Sequence, residues 1–300
     1  MACGDFMIYT VTLNPALDYH LNIDGLRVGE TNRSVSQELY YGGKGINVST
    51  VLMNLGIPST VFGFIAGFTG QQLEKSLRET GLITDFIEVS GGLTRINVKL
   101  KALQETEINA DGPAVSDGDI EQLKEKLKCL QTGDVLVLAG SVPKSVGVGV
   151  YAELMHTVGH GVKVVVDATG EALLKTLPLN PYLIKPNLSE LEELAGRYLR
   201  DELEIIDAAR MLKTQGASNV LVSLGADGAI LLDETDSVHI AKAPKIKVCD
   251  TVGAGDSMIA GFLSASELGY SEALRVSVAV GSATASVKGL ATEKDIKMLH

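Results

Sequence analysis

The sequence predicts an α/β fold: a doubly wound, mostly parallel sheet flanked by helices, together with a small β-sheet. Short apolar runs alternate with longer amphipathic segments, which is typical of parallel strands joined by helices. Several of these runs are almost wholly apolar, as expected of strands that are covered on both faces. Residues 1–300 are predicted to form a single domain, since this length is compatible with one large α/β unit.

The elements of the main sheet follow from this alternation. Six apolar runs are assigned to strands: 8–13, 60–65, 134–140, 162–168, 182–187 and 219–225. Six segments with apolar residues at helical spacing are assigned to helices: 45–55, 117–130, 188–196, 204–215, 255–268 and 271–287. The helix from 117 is the clearest, because Ser116 suits a helix start and Ile120 and Leu123 follow on one face.

Two segments, at about 19–41 and 93–110, interrupt this alternation with extended runs and no long helix. Within 95–101 the side chains alternate, so that one face carries Ile96, Val98 and Leu100 and the other carries Arg95, Asn97, Lys99 and Lys101. An exposed strand with a solvated basic face would show the same alternation. Because both segments are extended, we predict that they form a small sheet projecting from the main domain.

Charge and cysteine content narrow the classes of partner. The 37 acidic and 26 basic residues give a formal net charge of −11, which argues against nucleic acid or an anionic membrane as a partner. A few local cations would still suffice for a small phosphorylated ligand, because salt screens exposed charges beyond about 8 Å. Three widely spaced cysteines and the lack of any long uncharged stretch favour a cytoplasmic protein without a membrane span.

The stretch DTVGAGDSMIAGFL, 250–263, places two carboxylates around a turn of small residues. Gly253 to Gly255 allow the backbone N–H groups to converge at the start of a helix, where they suit a phosphate. Asp256 would then accept a proton from a hydroxyl group that attacks the phosphoryl group. The alternative is a loop whose last aspartate only caps the helix. Spacing alone does not separate the two.

The stretch YYGGKGINVSTVL, 40–52, opens a second glycine turn ahead of a helix. Gly42 and Gly43 form the turn, and Lys44 supplies a charge that suits a phosphate or a polyhydroxyl ligand. A plain junction between a loop and a helix is the alternative. A Walker A loop is excluded, because residue 38 is Glu and no Ser or Thr follows Lys44.

Two further stretches suit a nucleotide but also have structural interpretations. In KPNLSELEEL, Asn187 and Glu190 lie three residues apart at a strand-to-helix junction, a spacing that also suits helix capping. In VSLGADGAILL, the glycines between Ser223 and Gly228 would let a nucleotide approach the backbone. A hairpin turn between two strands is the simplest explanation of that stretch.

Taken together, these stretches resemble the ribokinase-like sugar kinases of the phosphofructokinase B family. GGKGINV and DTVGAGDSMIAGF are similar to the two signatures of that family in order and separation, and KPNLSELEEL lies between them. TLNPALDY, at 12–19, and TRINVK, at 94–99, resemble the branch of 1-phosphofructokinases and tagatose-6-phosphate kinases. The resemblance covers essentially the whole chain and implies a ribokinase-like fold.

The resemblance also implies roles for individual residues. Asp256 would be the catalytic base, and Gly253, Ala254 and Gly255 would form the anion hole. The residues implied for the sugar substrate are Asp18, Gly42, Gly43, Lys44, Asn47 and Arg95, the last for a phosphate that the sugar already carries. Those implied for the nucleotide are Lys185, Asn187, Ser223, Gly225 and Gly228. Glu190 would contribute to Mg²⁺ binding through a phosphate or a water molecule.

The function predicted on this basis is the ATP- and Mg²⁺-dependent phosphorylation of a ketohexose monophosphate. Fructose 1-phosphate, giving fructose 1,6-bisphosphate, is favoured, and tagatose 6-phosphate is the alternative substrate. A non-catalytic sugar-phosphate sensor is the alternative of another class, but a pure sensor would not need Asp256. In such enzymes the small sheet acts as a lid and often as a dimer interface, which implies a homodimer.

Overall fold

The computed structural model describes residues 6–299. Its strands are β1 (Ile8–Thr12), β2 (Ala16–Asn22), β3 (Ser36–Gly42), β4 (Ser59–Ile65), β5 (Ile83–Thr84), β6 (Ile87–Glu88), β7 (Arg95–Lys101), β8 (Glu105–Ile108), β9 (Val135–Ala139), β10 (Lys163–Asp167), β11 (Leu183–Ile184), β12 (Asn219–Ser223), β13 (Ala229–Leu232) and β14 (Val238–Ala241). Its helices are α1 (Lys44–Asn54), α2 (Gly67–Glu79), α3 (Asp117–Leu127), α4 (Val150–Thr157), α5 (Gly170–Leu174), α6 (Leu188–Ala195), α7 (Glu202–Thr214), α8 (Ala254–Ser264), α9 (Tyr270–Ser286) and α10 (Glu293–Lys297).

The main sheet has the strand order β14-β13-β12-β11-β10-β9-β1-β4-β5, with β6 paired to β4. Neighbouring strands are parallel from β12 to β5, and β13 and β14 add an antiparallel end. The predicted α/β class is therefore confirmed, and all six predicted strands lie in this sheet. The run 182–187 is shortened to Leu183–Ile184, and Pro186 cannot donate a hydrogen bond that would extend the strand.

Alternate side chains of the main sheet enter two separate cores. One face packs against α3, α4, α6 and α7, and the other packs against α1, α8 and α9. On neighbouring strands, Leu136 and Val166 belong to the first core, while Val137 and Val165 belong to the second. Burial of each such side chain contributes about 1.5–3 kcal/mol, so the two cores hold the carboxyl ends of the strands in fixed positions.

Strands β3, β2, β7 and β8 form a second sheet, in that order, which we call the small sheet. It is built from the two segments in which extended runs were predicted, although its first strand already begins at Ala16. The exposed apolar residues of one face are Leu39, Ile96 and Ile108. The opposite face is polar and lies against the main domain, where Lys101 pairs with Asp250 at 3.3 Å.

Within residues 6–299, no helix combines the length and the apolar character needed to cross a membrane. Cys129 and Cys249 are free and exposed, and Cys3 lies outside the described residues.

Candidate active site

A cavity of about 1090 Å³ lies at the carboxyl ends of the parallel strands. Strand β1 lies between β4 and β9 in the main sheet, and the chain reaches β4 from β1 through β2, β3 and α1. Such a switch point is where open α/β sheets form their ligand crevice. The sequence-predicted residues that line the cavity are Gly43, Lys44, Asn47, Arg95, Lys185, Asn187, Glu190, Ser223, Gly225, Gly228, Gly253, Ala254, Gly255 and Asp256. Asp18 and Gly42 do not line it.

Asp256 lies in the first turn of α8, and only 6% of its surface is exposed. The side-chain amide of Asn47, on α1, donates a hydrogen bond of 2.8 Å to its Oδ2. Burial, together with the negative charge of Asp167, raises the pKa of Asp256 to about 6. A carboxylate with this pKa is a stronger base than an exposed aspartate and is still mostly ionised at pH 7.

The glycine turn in front of α8 presents backbone donors next to this carboxylate. Gly253 is the N-cap of the helix and has a φ of 77°, a left-handed conformation that favours glycine. Within the part of the chain that the structure describes, the N–H groups of Gly253, Gly255 and Asp256 donate to no protein acceptor. These groups and the positive end of the helix dipole suit an anion, as predicted for this stretch.

Asp250, the first carboxylate of the same stretch, has a different position. One of its oxygens accepts a hydrogen bond of 3.0 Å from the N–H of Val252, and the other pairs with Lys101 of the small sheet. These two partners hold the pKa of Asp250 below its usual value despite its burial. Asp250 therefore shapes the turn from outside the cavity, and only Asp256 faces the interior.

Two lysines and a second buried carboxylate lie beside Asp256. Lys44 begins α1, and its Nζ is 3.1 Å from Oδ1 of Asp167, the last residue of β10. Nζ of Lys185, which follows β11, is 3.6 Å from the other oxygen of Asp167. Burial alone would raise the pKa of Asp167, but Lys185 and Lys44 lower it and keep the carboxylate ionised.

Asp167 was missed by the sequence analysis. The signal for it was present in KVVVD, where a single acidic residue ends an apolar run. In a parallel sheet such a residue lies at the carboxyl edge, which is the edge that binds ligands. The sequence analysis also missed a cavity wall in the loop before α8, which consists of Ala243, Pro244, Lys245, Ile246 and Val248. No motif in that loop could have revealed it.

The polar face of the small sheet brings a third cation, Arg95, to the cavity. Nε of Arg95 is buried and has no partner among the described residues, and burial lowers the pKa of the guanidinium while nearby Asp18 opposes that shift. Asp18 accepts a hydrogen bond of 2.8 Å from Asn97. A Cβ on Gly42 would lie 2.2 Å from Oδ2 of Asp18, so a larger residue here would displace this carboxylate.

At the other end of the cavity, Asn187 and Glu190 form a capping box at the start of α6. The Asn187 side chain accepts from the Glu190 N–H at 2.9 Å, and the Glu190 carboxylate accepts from the Asn187 N–H at 2.8 Å. The capping alternative is thus correct. It does not remove the two residues from the cavity, because both still line it. The predicted hairpin after Ser223 is also present, as β12 and β13 pair antiparallel.

The chemistry of the donor groups limits how a metal could bind. Residues 6–299 contain no cluster of three or more His, Cys, Asp or Glu side chains suited to a metal ion. Glu190 is a carboxylate at the cavity wall. One carboxylate suits Mg²⁺, which usually keeps several waters and is held by one or two carboxylates together with substrate phosphates. The residues present therefore fit a metal that enters with a phosphorylated ligand.

The family model of the pfkB family carbohydrate kinases matches residues 11–297. The chain belongs to this family. It is 45% identical over 296 residues to the 1-phosphofructokinase of Bacillus subtilis (strain 168), covering 98% of this chain and 97% of that protein. It is 39% identical over 288 residues to the D-tagatose-1-phosphate kinase of Bacillus licheniformis, covering 95% of this chain and 94% of that protein.

Solved structures of the family share the fold. Phosphofructokinase-2 from Escherichia coli, in complex with substrates and products, superposes with a TM-score of 0.90 at 29% identity, covering 98% of each chain. Ribokinase from Thermotoga maritima has a TM-score of 0.79 at 20% identity, covering 98% of this chain and 99% of that one, and is similar in fold alone. The ribokinase-like fold implied by the sequence motifs is thus confirmed.

Proposed function

We propose that this sugar kinase is a 1-phosphofructokinase, which transfers the γ-phosphoryl group of ATP to fructose 1-phosphate. The observation that carries the proposal is the placement of Asp256. It is buried, held by Asn47, and adjacent to the backbone donors of the glycine turn. The relatives from Bacillus subtilis and Borreliella burgdorferi, at 45% and 42% identity, are both named 1-phosphofructokinase.

The reaction requires a base at one side of the phosphoryl group and positive charge around it. Asp256 accepts the proton of the attacking sugar hydroxyl as the new O–P bond forms and the bond to ADP breaks. Asn47 fixes the direction of the carboxylate. The N–H groups of Gly253 and Gly255, with Lys44 and Lys185, stabilise the negative charge on the moving phosphoryl group.

The phosphosugar lies between the glycine turn and the small sheet in this proposal. Arg95 binds the phosphate that the sugar already carries, because its guanidinium has a free buried donor at the cavity. Asp18, held by Asn97 and placed against Gly42, binds a sugar hydroxyl at the edge of the cavity. Lys44 and Gly43 complete the proposed binding site for the phosphosugar. The small sheet then acts as a lid over the substrate.

The nucleotide lies at the other end, beside Asn187, Ser223, Gly225 and Gly228. Val278, Gly281, Ser282 and Ala285, all on α9, also line the cavity. Together with the loop 243–248 these residues form a mostly apolar wall that suits a purine ring. Glu190 would hold Mg²⁺ through a water molecule or a phosphate oxygen. The metal would supply positive charge next to the phosphates of ATP.

A homodimer through the small sheet is part of the proposal. The outward face of the small sheet carries Leu39, Ile96 and Ile108, each more than 40% exposed. Contiguous exposed apolar patches mark interaction sites, which supports a dimer through this face. The face that covers the cavity is polar, so a second chain would bind without entering the active site.

Release of ADP tests the function with a panel of acceptors: fructose 1-phosphate, fructose 6-phosphate, tagatose 1-phosphate, tagatose 6-phosphate, ribose and adenosine. The highest kcat/KM is expected with fructose 1-phosphate. The relative from Bacillus licheniformis favours a tagatose phosphate as the second candidate, because the two sugars differ only in the configuration at C4. Turnover with none of the six acceptors would favour the phosphate sensor.

A further inference from the structure

Asp167 is a charged residue in a position where an apolar one would pack. It ends β10 after three buried valines, Val164 to Val166, and only 1% of its surface is exposed. Burial of an ionised carboxylate is costly, and a well-packed apolar residue is often as stable as a buried ion pair. Stability alone therefore does not account for an aspartate here.

The contacts of Asp167 are directed toward the active site although Asp167 does not line the cavity. Each of its oxygens faces one lysine, at 3.1 Å for Lys44 and 3.6 Å for Lys185. Both lysines do line the cavity. Lys44 is the first residue of α1 and Lys185 directly follows β11, so the carboxylate joins two segments that are remote in sequence.

We propose that Asp167 is a positioning residue that holds Lys44 and Lys185 toward the transferring phosphoryl group and places a fixed negative charge beside Asp256. This inference rests on the proposed function. Lysine side chains are flexible, and orienting them beforehand removes an entropic cost from the reaction. Asp167 itself does not line the cavity, so its role is one of positioning and not of contact with the substrates.

The balance of charges around Asp167 also supports its role as a positioning residue. With Asp167 and Asp256 both ionised, the two carboxylates neutralise the two lysines. The negative charge of Asp167 also contributes, after burial, to the raised pKa of Asp256. Two further titratable groups face this cluster: Tyr151 on α4, whose hydroxyl donates to the carbonyl of Gly140 at 2.9 Å, and Glu190 on α6, which interacts with Lys44.

The pH dependence of kcat/KM separates this role from a purely structural one. For Asp167→Asn we expect kcat to fall by on the order of 10–100-fold, because the lysines lose their orientation. The acidic limb of kcat/KM should move to lower pH by about one unit, because a negative charge beside the base is gone. Asp167→Glu keeps the charge, so its acidic limb should stay in place while kcat still falls. If neither kcat nor the acidic limb of kcat/KM changes in Asp167→Asn, the proposal is overturned.

A titration of the ligand-free protein tests the charge relationship without any reaction. Aspartate carboxyl carbons are labelled with ¹³C, and the signal of Asp256 is assigned by its loss in Asp256→Asn. Its midpoint should move to lower pH in Asp167→Asn and stay unchanged in Asp207→Asn, an exposed control. An equal midpoint in Asp167→Asn would contradict the inference even if fructose 1-phosphate is the substrate. A shifted midpoint without sugar kinase activity would instead leave the inference standing and refute the function.

A double variant keeps the proposal testable if Asp167→Asn does not fold. Asp167→Asn combined with Lys185→Met removes one positive charge along with the negative one. In the Lys185→Met background, Asp167→Asn should lower kcat by less than the roughly 10–100-fold expected in the wild type, because only Lys44 remains to be oriented. A further loss as large as that expected in the wild type would show that Asp167 does not act through Lys185 and would overturn the proposal.

Discussion

The side-chain amide of Asn47 donates a 2.8 Å hydrogen bond to the carboxylate of Asp256, although 209 residues separate them in sequence. This bond joins the start of α1 to the start of α8, the two helices that follow the glycine turns. It fixes the direction of the proposed base. It also lowers the pKa of Asp256, opposing the larger effect of burial. Removal of either partner should therefore have separate and measurable effects.

Replacement of Asp256 by asparagine should lower kcat by about 10²-fold or more, the scale of general-base contributions. The KM for fructose 1-phosphate should change little, because Arg95 and Asp18 remain. Coupled ADP release measures both constants. Asp250→Asn is the matched control in the same turn, and it should lose less than tenfold because Asp250 lies outside the cavity. Turnover near the wild-type rate in Asp256→Asn would show that Asp256 is not the catalytic base.

Replacement of Asn47 by leucine should move the acidic limb of kcat/KM to higher pH. The limb of the wild-type enzyme is expected near pH 6, where Asp256 loses its proton. Without the amide donor the carboxylate is less stable than the acid, so a higher pH is needed to ionise it. Rate profiles from pH 5 to pH 8 provide the measurement. A limb that moves to lower pH would show that Asn47 does not stabilise the ionised form.

Asp256→Asn should also stabilise the ligand-free protein at neutral pH. Because folding raises the pKa of Asp256 from 3.8 to about 6, its ionisation costs stability as pH rises from about 4 to 6, and the full cost of about 3 kcal/mol remains above pH 6. The melting temperature of the variant should exceed that of the wild type by several degrees at pH 7.5 and by less at pH 4.5. An equal difference at both values would contradict the raised pKa.

Gly255→Ala should lower kcat several-fold without destabilising the protein. A Cβ at this position would lie 3.0 Å from Nζ of Lys185, so the lysine must move by a few tenths of an ångström. The backbone should tolerate alanine, which has the higher helix propensity. Gly159→Ala is the control, since its added Cβ meets no atom within 4 Å. A wild-type kcat in Gly255→Ala would show that the position of Lys185 is not critical.

Arg95→Met should raise the KM for fructose 1-phosphate by about tenfold or more, the worth of a charge-assisted contact to phosphate. KM for ATP should be little affected, because Arg95 lies on the small sheet, away from the nucleotide end. Lys99→Met is the control on the same strand, as Lys99 pairs with Glu107 at 3.0 Å and does not line the cavity. If only the KM for ATP rises, Arg95 does not bind the phosphosugar.

Local sequence was sufficient to predict most of the helices and strands, but not all of them. The helices that begin at Asp117 and Leu188 have capping boxes, and both were predicted. Helix α2, which begins at Gly67 after Ala66 with no side-chain cap and no acidic residue in its first turn, was not predicted. A helix without start signals is stabilised by the packing of residues such as Leu73 and Leu77 against the sheet.

The sequence by itself determined the α/β alternation, the two glycine turns and the alternating faces of β7, because each of these depends on residues that are neighbours in the chain. Only the tertiary structure decided that Asp256 faces the cavity while Asp250 binds Lys101 outside it. It also decided that Asp167 joins Lys44 and Lys185. The physical reason is that burial and charge pairing depend on distances between remote segments, and those distances are set by the packing of helices on the main sheet.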